Sequence, residues 1–338
     1  MTATSALFPR RGTDDETATA RKLAAACLGA SALAGDITAI GDCSAPDAVF
    51  RWPDGAAIGP GAAMARGLED LAAHPGAECL IEDVLHRATP PGASDDGPGL
   101  YVCARATILG RAGAPDRSGP VSIPTMAEIW AQGGQIRDAW ILRDGTAALA
   151  AMGVSDLRGW AEARLAGPGP DPAPLAPDSD PEGPYSGRGA RTDTAGPLAD
   201  HLSLMMDGEM AEAARGLDPA CMLHLPGGAQ ALGRMAAIGF WADLRAALPA
   251  GVFRIEHALG APAGGDLPGR AAVRWSLYGR HEGPGRFGPP SGAYVYVLGM
   301  TQAEFGPSGI RRLWTLFDDP SICLQTAARR ESRRNDRA

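Results

Sequence analysis

The sequence predicts two α+β domains of the same kind, arranged in tandem. Its 338 residues fit two domains, since one domain commonly holds about 100–200 residues. A tract at residues 165–197 separates the halves, and 14 of its 33 residues are Gly or Pro. Residues 126–144 align without a gap on residues 300–318, and six of these 19 positions are identical. Roughly one identity is expected by chance, so the two halves are homologous.

Each half shows the same predicted order of elements. A helix comes first (21–39 and 198–215), then a short extended segment (48–52 and 221–225) and a second helix (61–73 and 235–247). Three strands follow, at 100–109, 121–130 and 136–143 in the first half and at 271–279, 293–302 and 310–317 in the second. Gly-rich turns join the last two strands of each half as a hairpin. Helices followed by antiparallel strands are typical of an α+β domain.

The predicted domains span residues 20–163 and 198–328, with a linker at 164–197. Proline removes a backbone donor and glycine adds chain entropy, so we expect the linker to be extended. Residues 89–99 are expected to form a long loop for the same reason. The ends, 1–19 and 329–338, are expected to be frayed.

Composition and charge exclude several classes of protein. Gly and Pro together number 74 (45 and 29), yet 45% of the residues are hydrophobic, so the chain is not wholly disordered. The net charge of −8 does not suit a groove for nucleic acid. No apolar stretch is long enough to span a membrane. The six cysteines are scattered, which favours reduced thiols in a cytoplasmic protein.

Several sequence segments resemble the SnoaL-like polyketide cyclases of the nuclear transport factor 2-like superfamily. They are RWSLYGRHEG (274–283), FGPPSG (287–292) and IRRLWTLFD (310–318) in the second half, and RWPDG (51–55), MAEIW (126–130) and IRDAWILRDGTAALAAMG (136–153) in the first. The first half lacks the P-P-S-G turn and has S-G-P at 118–120 near its place. The resemblance covers about residues 21–153 and 198–327.

This resemblance implies a fold and a kind of site. Each half is expected to be a cone, in which a bent antiparallel sheet wraps around helices and encloses an apolar pocket. No cofactor and no metal are implied. Because such domains pair through their sheets, the two halves are expected to form a pseudo-twofold dimer within the chain. A further homo-oligomer stays possible.

Asp144 and Asp318 are the first candidates for catalysis. Strand parity places Asp144 on the same face as Trp140, and likewise Asp318 with Trp314. A carboxyl beside such residues in a closed pocket has a raised pKa, which suits proton transfer. In the family that the chain resembles, an aspartate at this position is a general acid or base. The alternative is that both aspartates cap the turn or helix that follows.

Glu128 is the second catalytic candidate. If its face of the strand looks into the pocket, Glu128 lies across the hairpin from Asp144, and the two carboxyls separate each other's pKa values. The alternative is a glutamate on the outer face. Because Gln302 replaces Glu128 in the second half, the first half is better equipped for proton chemistry.

The remaining candidates bind substrate or support the core. Arg105 and Arg274 lie in mid-strand, where each either holds a substrate anion or pairs with a carboxylate such as Glu256. Tryptophans could wall a planar ligand, although they are as often plain core. The full set of predicted substrate-binding residues is Trp52, Arg105, Trp130, Trp140, Arg274, Trp275, His281 and Trp314.

Other chemistries have no matching motif. The six histidines show neither H-x-H nor H-E-x-x-H spacing, and G-x-S-x-G is absent. The sequence therefore favours a cofactor-free enzyme that binds a small apolar carbonyl compound, with Asp144 moving a proton in cyclisation, isomerisation or dehydration. The competing hypothesis is a non-catalytic protein whose two cones bind or sense a metabolite.

Overall fold

The computed structural model describes residues 14–29, 35–89, 98–112, 119–168, 170–192 and 194–335. These residues form two halves, each with one six-stranded sheet covered by helices on one face. We call each such unit a cone. The predicted pair of tandem α+β domains is confirmed.

The first cone contains five described helices and six strands. They are α1 (Asp14–Cys27), α2 (Ala39–Asp42), β1 (Ser44–Trp52), β2 (Gly55–Ile58), α3 (Pro60–Ala73), β3 (Glu78–Thr89), β4 (Gly99–Ala112), β5 (Gly119–Gln132), β6 (Gln135–Arg143), α4 (Gly145–Ala151) and α5 (Leu157–Ala166). The strand order is β2-β1-β6-β5-β4-β3.

The second cone repeats this order. Its elements are α6 (Ala195–Asp207), α7 (Met210–Arg215), β7 (Leu217–Leu225), β8 (Ala229–Leu232), α8 (Arg234–Ala247), β9 (Val252–Ala261), β10 (Arg270–Arg280), β11 (Tyr294–Gly306), β12 (Gly309–Phe317) and α9 (Asp319–Asn335). The strand order is β8-β7-β12-β11-β10-β9. Each sheet is mixed rather than purely antiparallel, because β1 pairs parallel with β6 and β7 with β12.

Two predicted helices are wrong in extent. The first ends at Cys27, where Gly29 has a φ of 76°, a left-handed conformation that stops a helix; α2 follows as a separate short helix. The region 198–215 is likewise divided, because Gly208 ends α6 with a φ of 86°. Seven elements were not predicted from the sequence: the strands β2, β3, β8 and β9 and the helices α4, α5 and α9. The expectation of frayed ends is wrong for residues 14–19, which lie in α1, and for residues 329–335, which lie in α9. The remaining parts of the expected loop and ends, 90–97, 1–13 and 336–338, lie outside the described residues.

The two cones differ in what fills them. Small residues, largely alanines of α1, β4 and β5, fill much of the first interior. Large aromatic side chains fill the second, where Trp241, Trp275 and Phe317 are almost fully buried. The core of the second cone is therefore built from large aromatic side chains, and that of the first cone largely from alanines.

The outer faces of the two sheets pack against each other. Met126, Trp140 and Leu142 of the first sheet form one buried cluster with Met300 and Leu316 of the second. The alignment that revealed the repeat pairs Met126 with Met300 and Leu142 with Leu316, so each surface patch meets its own counterpart. This is the pseudo-twofold pairing within the chain that the sequence predicted.

The linker crosses one side of this junction as an extended segment. Leu175 is buried, and its N–H donates to the carbonyl of Pro53 over 3.0 Å. Tyr185 donates its backbone N–H to Asp138 over 2.8 Å, and its hydroxyl lies 2.9 Å from Nε2 of His257. The linker thus contacts both halves.

Candidate functional site

The structure places Glu128 and Trp140 between the two sheets, not inside the first cone. Both are buried, and they contact residues of the second half. Trp130 also lies there, packed with Leu259 of the second half. The expectation that these side chains line the pocket of the first cone is therefore wrong, because the interior face carries the opposite strand parity.

Glu128 accepts hydrogen bonds from both halves. The hydroxyl of Tyr101 donates to Oε2 over 2.6 Å, and Nε of Arg274 donates to the same oxygen over 3.0 Å. Burial raises the pKa of Glu128, and the neighbouring Arg274 guanidinium opposes that shift. The interaction is a buried ion pair that joins the halves.

Both predicted arginines take part in this junction in a pseudo-symmetric way. The guanidinium of Arg274 lies 3.8 Å from the ring centre of Trp140, and that of Arg105 lies 3.8 Å from the ring centre of Trp314. Arg105 donates to Gln302 over 3.3 Å, as Arg274 donates to Glu128. The expected pairing of Arg274 with Glu256 is not the hydrogen bond observed.

Asp144 and Asp318 also serve the junction. One oxygen of Asp144 accepts the N–H of Ala147 over 2.9 Å and caps α4; the other accepts the N–H groups of Gly227 and Gly228 over 2.7 and 3.0 Å. Asp318 accepts the N–H of Gly145 over 3.1 Å. Burial raises the pKa of Asp144, and these backbone donors oppose the shift. Neither carboxylate faces the interior of the first cone.

Two other predicted ligand residues lie inside the second cone. Trp275 is fully buried there and donates to Thr301 over 3.0 Å. His281 is also buried, with Nδ1 3.2 Å from the hydroxyl of Ser291. Both therefore support the fold of the second half.

Two predicted residues border openings in the described part of the chain. Asp318 lines a small cavity with Leu175, Tyr296 and Ile322. Trp52 borders the other opening. It lines a cleft at the mouth of the first cone, among α1, α2, α3, β1 and β6. The empty space of the cleft measures about 390 Å³, a figure that includes open solvent, and the volume that the centre of a water molecule can occupy is about 20 Å³. The apolar lining includes Ile40, Ala63 and Ile141, and the polar lining includes Arg66, Asp70 and Arg143.

The internal repeat shows how unusual this cleft is. Helices α3 and α8 align without a gap at the same spacing of 174 residues. Arg66, Gly67, Asp70 and His74 of the first cone correspond to Phe240, Trp241, Leu244 and Leu248 of the second, and Arg143 corresponds to Phe317. All five of these second-cone side chains are buried apolar core. One copy is therefore polar and cleft-shaped where the other is filled.

Two ion pairs organise the cleft. Arg143 pairs with Asp70, and Arg66 donates to Asp54 over 2.7 Å. Within the part of the chain that the structure describes, Oδ2 of Asp70 and Nε of Arg143 are buried without a hydrogen-bond partner. Buried polar atoms without partners are rare in folded proteins.

Two neighbours of this pair stay uncharged. His74, one helical turn beyond Asp70, is buried, and desolvation lowers its pKa although Asp70 opposes the shift. Burial raises the pKa of the Cys27 thiol to about 12, so the cleft holds no thiolate at neutral pH. The pair thus consists of a carboxylate, Asp70, and a guanidinium, Arg143, which can only donate hydrogen bonds.

Sequence reasoning missed Asp70 and Arg143, although a signal for them was present. The sequence identities that reveal the repeat lie on the strands, whereas this signal lies on the helices. Extending the repeat to α3 and α8 shows three apolar residues on one helix replaced by charged or titratable residues on the other. This difference between α3 and α8 points to the first cone as the half with the candidate site, and it is visible in the sequence of this chain alone.

No protein-family model matches the chain, and no curated protein matches it. Solved structures do match. A proposed SnoaL-like polyketide cyclase from Jannaschia sp. CCS1 is 20% identical, covers 41% of this chain and 97% of its own, and has a TM-score of 0.34. IdmH, a proposed polyketide cyclase from Streptomyces antibioticus, is 20% identical over 41% of this chain and 99% of its own, with a TM-score of 0.32.

A third similar structure is a protein from Catenulispora acidiphila with a ketosteroid isomerase-like fold, solved in complex with trimethylamine. It is 18% identical over 42% of this chain and 95% of its own, with a TM-score of 0.30. These are the kinds of protein that the sequence segments resemble. At these identities and TM-scores, neither a substrate nor an activity follows from the likeness. No helix of the described residues is long and apolar enough to cross a membrane.

Proposed function

We propose that the chain binds one small organic molecule in the cleft of the first cone, and that the second cone is its structural partner. The contrast between the copies carries this proposal: charged groups and a glycine border the cleft where the second cone has packed aromatic and leucine side chains. Replacing well-packed apolar core by charged groups is unfavourable for stability, so a function is the better explanation.

We further propose that the bound molecule undergoes cofactor-free acid–base chemistry of the cyclase, isomerase or dehydratase type. Asp70 would take a proton from the ligand and return it at another atom, while Arg143 would stabilise negative charge that develops on a carbonyl oxygen. The apolar walls would exclude water from that step. We assign the role of proton-transferring carboxylate to Asp70 and not to Asp144 or Glu128. The oxygens of those two residues already accept hydrogen bonds that join the halves.

The small free volume of the cleft suits equally well a protein that binds its ligand without converting it. The volume that the centre of a water molecule can occupy in the cleft, about 20 Å³, is enough for about one or two water molecules, so a ligand must displace side chains at the mouth. A metabolite sensor that closes on its ligand has the same requirement. The six cysteines are free thiols, which supports our proposal of a cytoplasmic location.

The substitution Gly67→Trp tests the site, because it places in α3 the residue that fills the second cone as Trp241. Ligands from a metabolite and fragment library, detected by saturation-transfer NMR and thermal shift, should lose binding in this variant. Because the indole is larger than the free volume of the cleft, the free energy of unfolding should fall by about 1–3 kcal/mol, and circular dichroism and thermal unfolding check that the variant stays folded.

The matched control is Gly239→Trp, on the corresponding helix of the second cone, where a side chain meets open space. This variant should bind ligands like the wild type. Ligands that bind Gly67→Trp as tightly as the wild type would show that the cleft is not the site. Turnover that Asp70→Asn loses while binding persists would favour the enzyme over the sensor.

A further inference from the structure

The linker is held on the junction next to the carboxyl of Asp318. Leu175 of the linker is 2% exposed and packs with Leu298 and Leu316 of the second sheet. Its backbone N–H donates to the carbonyl of Pro53 over 3.0 Å. Leu175 and Asp318 line the same small cavity, in which the centre of a water molecule can occupy about 10 Å³. The cavity therefore has room for about one water molecule.

A continuous chain of hydrogen bonds joins Asp318 to this part of the linker. Ser321 donates its backbone N–H to Oδ2 of Asp318 over 2.9 Å, and its hydroxyl donates to the carbonyl of Pro53 over 2.7 Å. The same carbonyl accepts the N–H of Leu175. Ser321 and Pro53 thus connect the Asp318 carboxyl to the hydrogen bond that holds the linker.

The aligned carboxyl of the first half, Asp144, has a different environment. Asp144 accepts three backbone N–H groups, and two of them come from the turn at 227–228 of the other half. Among the described residues, Asp318 accepts two. The corresponding turn of the first half carries Asp54, whose negative charge acts on Asp318. Fewer donors and an added negative charge make ionisation less favourable for Asp318 than for Asp144.

The charged groups that face Asp318 from the neighbouring elements are carboxylates. They lie in the turn after β1, at the end of β6 and at the start of α9, and they are Asp54, Asp144 and Asp319. The arginines that pair with Asp54 and Asp319 leave Asp318 without an ion pair among the described residues. The nearby side chains of Cys323 and Tyr296 are uncharged, since burial raises the pKa of each to about 12.

We infer that Asp318 is a proton-controlled latch, a carboxyl whose protonation holds the linker on the junction at Leu175. A protonated carboxyl can stay beside an apolar side chain in a cavity with room for about one water molecule. An ionised carboxylate gains far more from hydration. Ionisation therefore favours the arrangement in which this part of the linker has left and water has entered.

The latch is closed at acid pH. Burial raises the pKa of Asp318 to about 7, and the facing carboxylates add to the shift although the N–H of Ser321 opposes it. The closed arrangement therefore binds the proton more tightly than the open one, in which Asp318 is hydrated. The preference for the closed arrangement falls as pH rises and levels off above pH 7.

Hydrogen exchange of single amides in the full chain tests the latch. The N–H of Leu175 reports the release of this part of the linker. The N–H of Ala190, which donates to the carbonyl of Ala258 over 3.1 Å, reports the other end of the linker. NMR gives the protection factor of each amide, which removes the intrinsic pH dependence of exchange. We expect the protection of Leu175 to fall at least tenfold from pH 5 to 8, while that of Ala190 stays constant.

Two substitutions identify the group responsible. Asp318→Asn keeps the shape of the side chain but cannot ionise, so the protection of Leu175 should not change between pH 5 and 8. Asp54→Asn removes one facing charge and leaves Asp318 titratable, so the protection should still fall but should level off at a lower pH. Thermal unfolding at pH 5 checks that both variants are folded, and Asp54→Asn carries the test if Asp318→Asn is not.

Three results would overturn the latch. The first is a wild-type protection of Leu175 that is the same at pH 5 and pH 8. The second is an equal fall at Ala190, which would show that the whole linker loosens. The third is a fall that persists unchanged in Asp318→Asn, or one that levels off at the same pH in Asp54→Asn as in the wild type, because either would assign the titration to another group.

Discussion

The buried ion pair between the two halves gives the sharpest test of how the chain is held together. Glu128 is 2% exposed and accepts hydrogen bonds from Tyr101 and Arg274. The substitution Glu128→Ala leaves the Arg274 guanidinium buried without its carboxylate. Breaking a buried pair in this way costs about 3–5 kcal/mol in free energy of unfolding.

The pseudo-symmetric position supplies the matched control. Gln302 accepts from Arg105 over 3.3 Å, but Arg105 also pairs with Glu82. The substitution Gln302→Ala therefore removes one hydrogen bond and leaves the charge compensated, which costs about 1 kcal/mol. The difference between the two losses in free energy of unfolding measures the cost of leaving the Arg274 guanidinium without its carboxylate.

Urea unfolding, followed by circular dichroism and by tryptophan fluorescence, measures both losses. Coincident transitions from the two signals would show that the halves unfold together. The double substitution Glu128→Met with Arg274→Met should recover most of the loss, since it removes both charges and keeps apolar volume. A loss for Glu128→Ala no larger than that for Gln302→Ala would refute the reasoning.

Two further predictions concern the paired aspartates. Asp144→Ala should lower the free energy of unfolding by about 2–3 kcal/mol, since a helix cap and the hydrogen bonds from Gly227 and Gly228 are lost. It should leave the binding of ligands found in the library screen unchanged, and lost binding would place Asp144 in the site. Burial raises the pKa of Asp318 to about 7, so the folded chain holds this proton more tightly than the unfolded chain. Stability should therefore fall as pH rises from 5 to 8, by at most about 3 kcal/mol and less because part of Asp318 reaches solvent. Asp318→Asn should flatten that dependence, and an unchanged slope would contradict the assigned pKa.

The sequence was sufficient for the number and type of domains because those depend on regular patterns. The repeated segment, which includes Trp140 and Trp314, lies on strands. Successive side chains of a strand point to opposite faces of the sheet, so the pattern is regular. The long strands β4, β5 and β6 were therefore located within a few residues. The edge strands β2 and β8 were missed because each has only four residues.

The location of the predicted site residues could not be read from parity alone. Parity correctly grouped Trp140 with Asp144 on one face, but it does not say which face of a sheet is inside. In a single cone the helix-covered face encloses the pocket, and the other face is covered only when a second sheet arrives. Here the second sheet comes from the copy 174 residues further along the chain. Glu128 therefore accepts a hydrogen bond from Arg274 of that sheet and does not face the interior of the first cone.

The two copies have kept equivalent contacts at the junction but have diverged in the interior. At the junction, each arginine still stacks on the tryptophan of the other half, at 3.8 Å in both directions. In the interior, Asp70 and Arg143 face Leu244 and Phe317 as counterparts. A homodimer of one gene must give both cones the same interior. Joining the copies in one chain removes that constraint, because a solid second cone can supply stability while the first keeps a polar cleft whose packing is poorer.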